Sequence, residues 1–498
     1  MAQASQAGGQ FDVAIVGAGP VGAALAALLG QAGLRTFIGE TNESIYPLPR
    51  AAHFDHEIMR IFQQIGITDA IAPSIVASDR YVFRNKAGDI LLDFDLRGSA
   101  DTGWRGYMMH QPGIERAIRD RIAGDSKVEL RTGVSFKALD DDGTSVRSTW
   151  IGPDGEFEIQ STFLVGCDGA WSPVRESLGI GFEDLGFDEP WLVLDLLVDD
   201  DNDLPDLNIQ LCDPERPTTY VIMGKNRRRF EFMMLPGETT EVMLDDEKIA
   251  KLLSAWSSRG IVEVERKAVY RFHALVAKQW HQGRVFLAGD AAHQMPPFAG
   301  QGMCSGIRDA HALSWRLPLA LKSANTEHLF DSYQAEREPH VRAITQAAIE
   351  TGRVVCIHDP AAAAERDRHM IEARRTGAPL PDISSPPLAL AFGLPDTASA
   401  GSRFFQPVVT EGGKDTRLDD ILGPGGWLIS RGQMDLPVTP GLTQFKLDDA
   451  RLAAFREALA SRLDEANAAA LLVRGDRYVF ASGNPAELAA AFSKQVGV

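Results

Sequence analysis

The sequence predicts an α/β protein with a parallel sheet at its centre, and three observations support this. Residues 11–16 have the apolar pattern of a buried strand, and residues 20–31 have the composition of an Ala- and Leu-rich helix. Residues 36–38 form a second strand pattern that ends at Glu40. A strand, a helix and a second strand, with glycines at the first turn, indicate the opening βαβ unit of a Rossmann-like domain.

The glycines of that first turn predict a dinucleotide-binding site. Gly17, Gly19 and Gly22 have G-x-G-x-x-G spacing. The first permits a tight turn, the second lets the backbone approach a pyrophosphate, and the third allows close helix packing. The helix N-terminus adds the positive end of its dipole. Glu40 stands where a carboxylate accepts hydrogen bonds from ribose hydroxyls. The motif alone leaves NAD and FAD open.

A second glycine-rich segment, residues 289–310 (GDAAHQMPPFAGQGMCSGIRDA), favours FAD. It follows a short apolar run, so Asp290 lies at the carboxyl end of a predicted strand, where open α/β sheets bind ligands. Asp290 is able to accept a hydrogen bond from a ribityl hydroxyl. The backbone N–H groups of residues 300–303 begin a helix and suit the N1 and C2 edge of a flavin, while Pro296 and Pro297 stiffen the facing wall.

A third turn, at Asp168 and Gly169, also follows a strand-like run. Its acid and backbone amides suit either the pyrophosphate of FAD or a nicotinamide cofactor that binds in passing. An Asp-Gly turn is common by itself, so it supports a cofactor site only because it stands between the other two motifs along the chain.

Composition excludes several other classes of protein. The net charge of -18 and the pI near 5.1 argue against nucleic acid as a partner, because phosphate binding depends on clustered Lys and Arg. The four cysteines are widely spaced, which predicts no zinc site and no disulfide framework and fits a reducing cytoplasm. The apolar stretch at residues 13–30 is interrupted by glycines, so no membrane span is predicted. His53 and His56 lack a third ligand nearby, so no metal is predicted.

Taken in order, the three motifs resemble the class A flavoprotein monooxygenases, the p-hydroxybenzoate hydroxylase-like family, over roughly residues 11–360. The resemblance extends to Arg50 in PLPRAAHFDHEIM and to Gln111 in MHQPGIE. Within the family the chain is most similar to 3-(3-hydroxyphenyl)propionate hydroxylases and related phenolic hydroxylases, whose RRxEFxxLPGE stretch is matched at residues 228–238. One departure is Cys304, at a position where such enzymes usually carry Asn.

The resemblance also implies a domain plan. It predicts an FAD-binding domain in two parts, residues 1–190 and 276–376, with an inserted antiparallel-sheet substrate domain at residues 191–275. Turn signals between residues 128 and 165 predict a small antiparallel sheet inserted in, or laid against, the nucleotide fold. Residues 377–400 form a Pro- and Ser-rich linker, and residues 401–498 form a thioredoxin-like α/β domain. That last domain has no cysteine, so it cannot carry out thiol chemistry.

The resemblance implies a function for each matched residue. The members of the cofactor site would be Gly17, Gly19, Gly22 and Glu40 at the ADP half, Arg50 and Gln111 at the middle, and Asp290, Pro297, Gly300, Gly302 and Met303 at the flavin end. Asp168 is counted with them, either at the pyrophosphate or at the nicotinamide cofactor. NADH or NADPH would bind transiently in a shared groove and reduce FAD. One oxygen atom of O2 would then be transferred to a small phenol, usually ortho to an existing hydroxyl.

The sequence leaves open the catalytic base, the substrate class and the assembly. A phenol needs a base or hydrogen-bond acceptor to react at neutral pH, and we predict His293 or Tyr270 ahead of His273 and His53. A monooxygenase of polycyclic or antibiotic substrates shares every motif, and a non-catalytic flavin sensor is the non-enzyme alternative. The sequence leaves the assembly open, a homodimer included.

Overall fold

A computed structural model of the chain describes residues 10–97, 100–257, 259–383, 386–395, 397, 399–432 and 436–498. Its first sheet has a parallel centre, in which Phe11–Val16 pairs with Thr36–Glu40 on one side and with Gly155–Gly166 on the other. The strands lie in the order His281–Gln282, Val285–Leu287, Gly155–Gly166, Phe11–Val16, Thr36–Glu40 and Val128–Thr132. The α/β fold class and its opening βαβ unit are therefore confirmed, with the first helix at Pro20–Gln31.

The predicted small sheet at residues 128–165 is continuous with the first sheet. Val128–Thr132 pairs in parallel with Thr36–Glu40, so it is not part of a hairpin. Ser135–Asp141, Val146–Gly152 and the first half of Gly155–Gly166 do form antiparallel pairs. The apolar second half of that long strand enters the parallel centre, where it is buried. One strand thus serves both arrangements.

A second, mainly antiparallel sheet lies across from the first. Its strands, in order, are His293–Gln294, Ile261–Ala277, Phe182–Val198, Arg227–Met233, Thr218–Ile222, Asn208–Leu211, Arg80–Arg84 and Ile90–Asp95. The sheet draws strands from outside residues 191–275, since two come from residues 80–95 and one comes from residues 289–303, the cradle. A small third sheet joins His53–Phe54, Tyr107–Met109 and Ile75–Ala77.

Helices cover the first sheet and connect it to the rest. The remaining α-helices are His56–Ile65, Thr68–Ile71, Gln111–Ala123, Pro173–Ser177, Thr240–Met243, Asp246–Ser254, Gly302–Ala320, Glu327–Val355, Pro360–Thr376, Leu418–Leu422, Arg456–Glu465 and Pro485–Val496. Short 3₁₀ turns occupy Ala72–Ser74, Ala100–Thr102, Gly289–Ala291, Pro297–Ala299 and Ala450–Phe455. In the part of the chain that the structure describes, no helix combines the length and apolar character needed to cross a membrane.

The C-terminal unit has a four-stranded sheet of its own. Its strands lie in the order Leu442–Lys446, Gly426–Ser430, Ala470–Val473 and Val479–Gly483, beside a hairpin of Val408–Glu411 and Lys414–Arg417. Asn484 caps the last helix by accepting hydrogen bonds from the N–H groups of Ala486 and Glu487. The 3₁₀ turn Ala450–Phe455 leads directly into the α-helix Arg456–Glu465.

Two buried ion pairs and a buried hydrogen bond join this C-terminal unit to the rest of the chain. Arg474 pairs with Glu336 of the long helix at 2.6 Å, and both side chains are almost fully buried. Arg60 pairs with Asp419 at 2.7 Å, again with little exposure on either side. The Tyr478 hydroxyl donates to Glu57 at 2.9 Å. The unit is therefore fixed to the nucleotide-binding part through desolvated charges.

Candidate active site

A cavity of about 790 Å³ lies between the carboxyl edge of the first sheet and one face of the second. Its size falls within the roughly 300–1,000 Å³ typical of cofactor and small-molecule sites. The sequence-predicted cofactor residues that line it are Gly17, Gly19, Glu40, Arg50, Gln111, Asp168, Asp290, Pro297, Gly300, Gly302 and Met303. The structure thus brings together residues from widely separated parts of the chain.

The glycines of the first turn have three different surroundings. Gly17 has φ +95°, and a Cβ there would lie 2.5 Å from the Cys167 carbonyl oxygen. A Cβ at Gly22 would lie 2.0 Å from the Gly17 carbonyl oxygen, so this glycine packs against the turn and does not line the cavity. A Cβ at Gly19 would meet nothing within 4 Å, because it would point into open space. This is the arrangement that lets a pyrophosphate approach the backbone at the helix N-terminus.

Glu40 is held in place by the same turn. Its Oε2 accepts a hydrogen bond from the Ala18 N–H at 2.8 Å, and its Oε1 accepts two from Asn42, at 2.9 Å from the backbone and 2.8 Å from the side chain. The carboxylate therefore sits at the end of its strand, beside the glycine turn. This position suits a group that accepts hydrogen bonds from ribose hydroxyls.

The loop that carries Arg50 is anchored from two sides. Gln111 accepts hydrogen bonds from the N–H groups of Arg50 and Ala51, at 2.9 and 2.6 Å. From the second sheet, Arg229 donates to the carbonyl oxygens of Pro49 and Arg50, at 2.6 and 2.7 Å. Gln111 therefore acts on this loop through its backbone, while the Arg50 side chain stays exposed at the cavity.

The two predicted aspartates line the cavity from neighbouring turns. Asp168 accepts a hydrogen bond from the Val174 N–H at 3.0 Å, which fixes the start of the following helix. Burial raises the pKa of Asp168, and burial likewise raises the pKa of Asp290. The Asp290 carboxylate is nevertheless exposed to the cavity itself. Both groups are therefore placed to accept hydrogen bonds from a bound ligand.

The turn that bears Asp290 is held from behind by Asp309. Asp309 accepts hydrogen bonds from the Gly289 N–H at 3.1 Å, from His293 at 2.7 Å and from Arg337 at 2.8 Å. Burial alone would raise the pKa of Asp309, but the charges of His293 and Arg337 lower it. Three hydrogen bonds to one buried carboxylate thus hold the turn against the helix that carries Asp309.

The catalytic role predicted for His293 and Tyr270 finds no support in this geometry. The His293 side chain is fully buried, pairs with Asp309 and does not line the cavity. Tyr270 also lies off the cavity wall, with the guanidinium of Arg266 4.7 Å from its ring centre. The other two histidines, His273 and His53, do line the cavity, and burial lowers the pKa of His53.

The backbone at residues 300–303 ends the cradle and lines the cavity. Gly300 has φ +63° and ends the Pro297–Ala299 turn, after which the helix Gly302–Ala320 begins. Cys304 lies one residue beyond the cradle, fully buried and off the cavity wall. Its thiol is 3.9 Å from the His53 carbonyl oxygen. The Cys304 departure from the family pattern therefore falls behind the cradle.

The second sheet supplies cavity-lining residues that the sequence reasoning missed. They are Tyr81, Asn208, Thr219, Val221, Arg229 and Glu231. For Arg229 and Glu231 the sequence held a signal, the alternation of charged and aromatic residues in RRRFEFM. Such alternation indicates a strand with two different faces, and here Arg229 and Glu231 line the cavity while Phe230 and Phe232 pack in the core on the opposite face. Among the described residues, no group of three or more His, Cys, Asp or Glu side chains is arranged to hold a metal ion.

These residues fit FAD. The open space at Gly19 and the adjacent helix N-terminus suit the pyrophosphate, Glu40 suits the ribose, and Asp290 suits the ribityl chain. The amides at residues 300–303 suit an electron-rich ring edge. Bound FAD would supply the oxygen-transfer chemistry that no side chain can provide alone.

Known proteins agree with this assignment. The chain is 40% identical over 424 residues to a probable NADH-specific resorcinol 4-hydroxylase of Rhodococcus jostii, an alignment that covers 84% of this chain and 78% of the relative. It is 34% identical over 435 residues to a 3-(3-hydroxy-phenyl)propionate/3-hydroxycinnamic acid hydroxylase of Mycolicibacterium smegmatis, covering 84% and 76% of the two chains.

Solved structures show the same fold. The flavin-dependent monooxygenase PieE has a TM-score of 0.79 at 19% identity, covering 98% of this chain and 99% of its own. The anhydrotetracycline hydroxylase OxyS of Streptomyces rimosus has a TM-score of 0.76 at 24% identity, covering 98% and 100%. The family described as FAD binding domain matches residues 10–348, more than half of the chain. This family match, together with the two relatives and the cavity, shows that the chain belongs to the FAD binding domain family of flavin-dependent aromatic hydroxylases.

Proposed function

We propose that this protein uses NADH and O2 to hydroxylate a small monocyclic phenol, ortho to an existing hydroxyl. The identity of 40% to the Rhodococcus enzyme is the observation that carries the proposal, because that enzyme is named for NADH and for resorcinol. The likeness to enzymes of polycyclic substrates is below 25% identity and supports the fold alone.

The chain would position the cofactor rather than perform the oxidation. Glu40 and the glycine turn would hold the adenosine and pyrophosphate, and Asp290 would hold the ribityl chain. The second sheet would cover the ring end of the cavity and keep water from it. A phenol bound there would need an acceptor for its proton.

The experiment is a substrate panel on purified protein. We expect a yellow protein with flavin absorbance at about 450 nm that oxidises NADH faster than NADPH. Resorcinol should stimulate this oxidation, and hydroxylated product should form for most of the NADH consumed. Stimulation without product would identify a pseudo-substrate. A colourless protein that gains no flavin when FAD is added would contradict the proposal, and stimulation by polyketides alone would favour the polycyclic alternative. A cytoplasmic location and a homodimer stay predictions, and size-exclusion chromatography tests the latter.

A further inference from the structure

Arg308, in the second turn of the helix Gly302–Ala320, holds the end of the cradle from behind. Its Nη1 donates a hydrogen bond to the side-chain oxygen of Gln301 at 3.0 Å. Gln301 directly precedes this helix, and it lines the cavity together with Gly300 and Met303. The position of Gln301, and with it the position of the backbone amides at residues 300–303, therefore depends on how Arg308 is held.

Two carboxylates of the nucleotide-binding part orient the Arg308 guanidinium. Its Nε donates to Glu57 Oε2 at 2.7 Å, and its Nη2 donates to Asp55. The side chains of Arg308 and Glu57 are only 3% and 6% exposed. Asp55, Glu57 and Arg308 thus form a buried charge cluster in which two carboxylates face one cation. A desolvated cluster of this kind needs further donors to satisfy its oxygens and its surplus negative charge.

The C-terminal unit supplies these donors. The Tyr478 hydroxyl donates to Glu57 Oε1 at 2.9 Å, and Arg403 Nη1 donates to Glu57 Oε2 at 3.3 Å. An antiparallel backbone bridge joins Arg403 to Tyr478. Burial alone would raise the pKa of Glu57, but the charges of Arg308 and Arg403 hold it well below its usual range. Glu57 is therefore ionised, and donors from both sides of the junction fix the direction of its carboxylate.

The buried charge cluster borders the cavity at a second point. Asp55 caps the helix His56–Ile65 by accepting two backbone hydrogen bonds, at 3.1 and 3.2 Å. Two residues earlier, His53 lines the cavity, and a Cβ at Gly300 would lie 3.2 Å from His53 Nδ1. The cluster therefore holds two segments that meet at the end of the cradle.

The other two buried contacts of the junction lie away from the cavity. They are the ion pairs of Arg60 with Asp419 and of Arg474 with Glu336, and none of these four residues lines the cavity. Tyr478 and Arg403 do not line it either, but they are separated from Gln301 only by Glu57 and Arg308. Among these junction contacts, the one through Glu57 therefore connects the C-terminal unit to the cradle.

We propose that the C-terminal unit completes the FAD site, with Tyr478 and Arg403 as positioning residues that act on the cradle through Glu57 and Arg308. Holding Gln301 in place holds the amides at the helix N-terminus, whose partial positive charge favours the negative charge of a reduced flavin ring. This inference goes beyond the proposed function, because it gives the last hundred residues or so a role that is independent of the substrate.

The test uses the full-length chain and two measurements that do not depend on turnover. FAD affinity is measured by fluorescence titration, and the midpoint potential of bound FAD is measured against a reference dye. Tyr478→Phe removes one hydroxyl from a carboxylate that keeps its arginines, so we expect FAD affinity to fall about threefold or more. The preference for reduced over oxidised flavin should also fall about threefold, which makes the potential ~15 mV more negative.

A double-mutant cycle tests the route. Gln301→Ala should shift the potential in the same direction, because the cradle loses its contact with Arg308. Adding Tyr478→Phe to Gln301→Ala should then change the potential little further, since the two residues act in series. Arg403→Gln removes the other donor of the C-terminal unit and serves as the second variant if Tyr478→Phe does not fold.

Two control variants remove comparable hydrogen bonds elsewhere. Tyr220→Phe removes a hydroxyl that donates to the Pro205 carbonyl at 2.7 Å, within the second sheet. Ser323→Ala removes a hydroxyl that donates across the junction to the Val496 carbonyl at 2.6 Å. Neither Tyr220 nor Ser323 lines the cavity. Both variants should keep the wild-type FAD affinity and potential, whatever their effect on unfolding temperature.

Three results would overturn the inference. The first is wild-type FAD affinity and potential in Tyr478→Phe. The second is an equal shift in Ser323→Ala, which would mean that any loosening of the junction disturbs the flavin. The third is full additivity of Tyr478→Phe and Gln301→Ala. The expected shifts in a protein that hydroxylates no phenol would support this inference and contradict the proposed function, so the two are tested separately.

Discussion

Gly19 and Gly22 belong to one motif, but the structure predicts that alanine at Gly22 lowers folding stability, whereas alanine at Gly19 weakens FAD binding. A Cβ at Gly22 would lie 2.0 Å from the Gly17 carbonyl oxygen and 3.1 Å from Cys167 Cβ. The first of these atoms is backbone, so the helix must move away from the turn. Such overpacking costs roughly 1–3 kcal/mol of folding free energy. Gly22→Ala should therefore destabilise the protein whether or not FAD is bound.

Gly19→Ala should instead act on the cofactor. No atom lies within 4 Å of its Cβ position, and φ −68° with ψ −175° is open to any residue. We expect the stability of the FAD-free protein to change by less than about 0.5 kcal/mol. The added methyl would occupy space needed by the pyrophosphate, so FAD affinity should fall about tenfold or more, which corresponds to about 1.4 kcal/mol.

Thermal unfolding of FAD-free protein and titration of FAD by its fluorescence would measure the two effects. Gly181→Ala is the control, because a Cβ there also meets nothing within 4 Å but lies away from the cavity. It should behave as wild type in both assays. Unchanged FAD affinity in Gly19→Ala, or wild-type stability in Gly22→Ala, would show that the turn does not work as described.

Three further predictions concern buried polar side chains. Arg474→Leu leaves Glu336 and Asp476 with Arg316 as their remaining arginine, at 2.5 and 4.0 Å, so we expect a loss of about 3 kcal/mol of stability, measured as a lower unfolding temperature. Burial alone would raise the pKa of Asp476, but Arg474 lowers it from 3.8 to about 2. The lowered pKa of Asp476 stabilises the folded wild type by ~2 kcal/mol at pH values above the ordinary pKa, and this stabilisation is lost as the pH falls through about 2. Acid unfolding of the wild type and of Arg474→Leu would reveal it, because the variant lacks this pH dependence. His293→Gln should reduce kcat by less than about tenfold while weakening FAD binding, because His293 braces the cradle through Asp309; a loss of about a hundredfold or more would restore it as the base.

The parts of this molecule that were predictable from sequence are those fixed by local rules. The glycine turn, Glu40 and Asp290 follow from strand, turn and helix signals within a few residues of each other, and the structure places them together. The pairing of His293 with Asp309 could not be predicted, because it depends on a helix that the local pattern does not position, and the role of His293 as the base stays a prediction. Glu231 was missed because a sheet face becomes a cavity wall only through long-range strand pairing.

The buried polar contacts across the C-terminal junction limit the exchange of segments between relatives. Arg60 and Asp419, Tyr478 and Glu57, and Arg474 and Glu336 each lie on opposite sides of that junction. A chimaera that takes one side from a homologue would inherit half of each contact, and Arg60 would then be buried without its counter-charge. These positions should therefore change together, and a viable graft of the last hundred residues or so would have to carry its partners in the nucleotide-binding part with it.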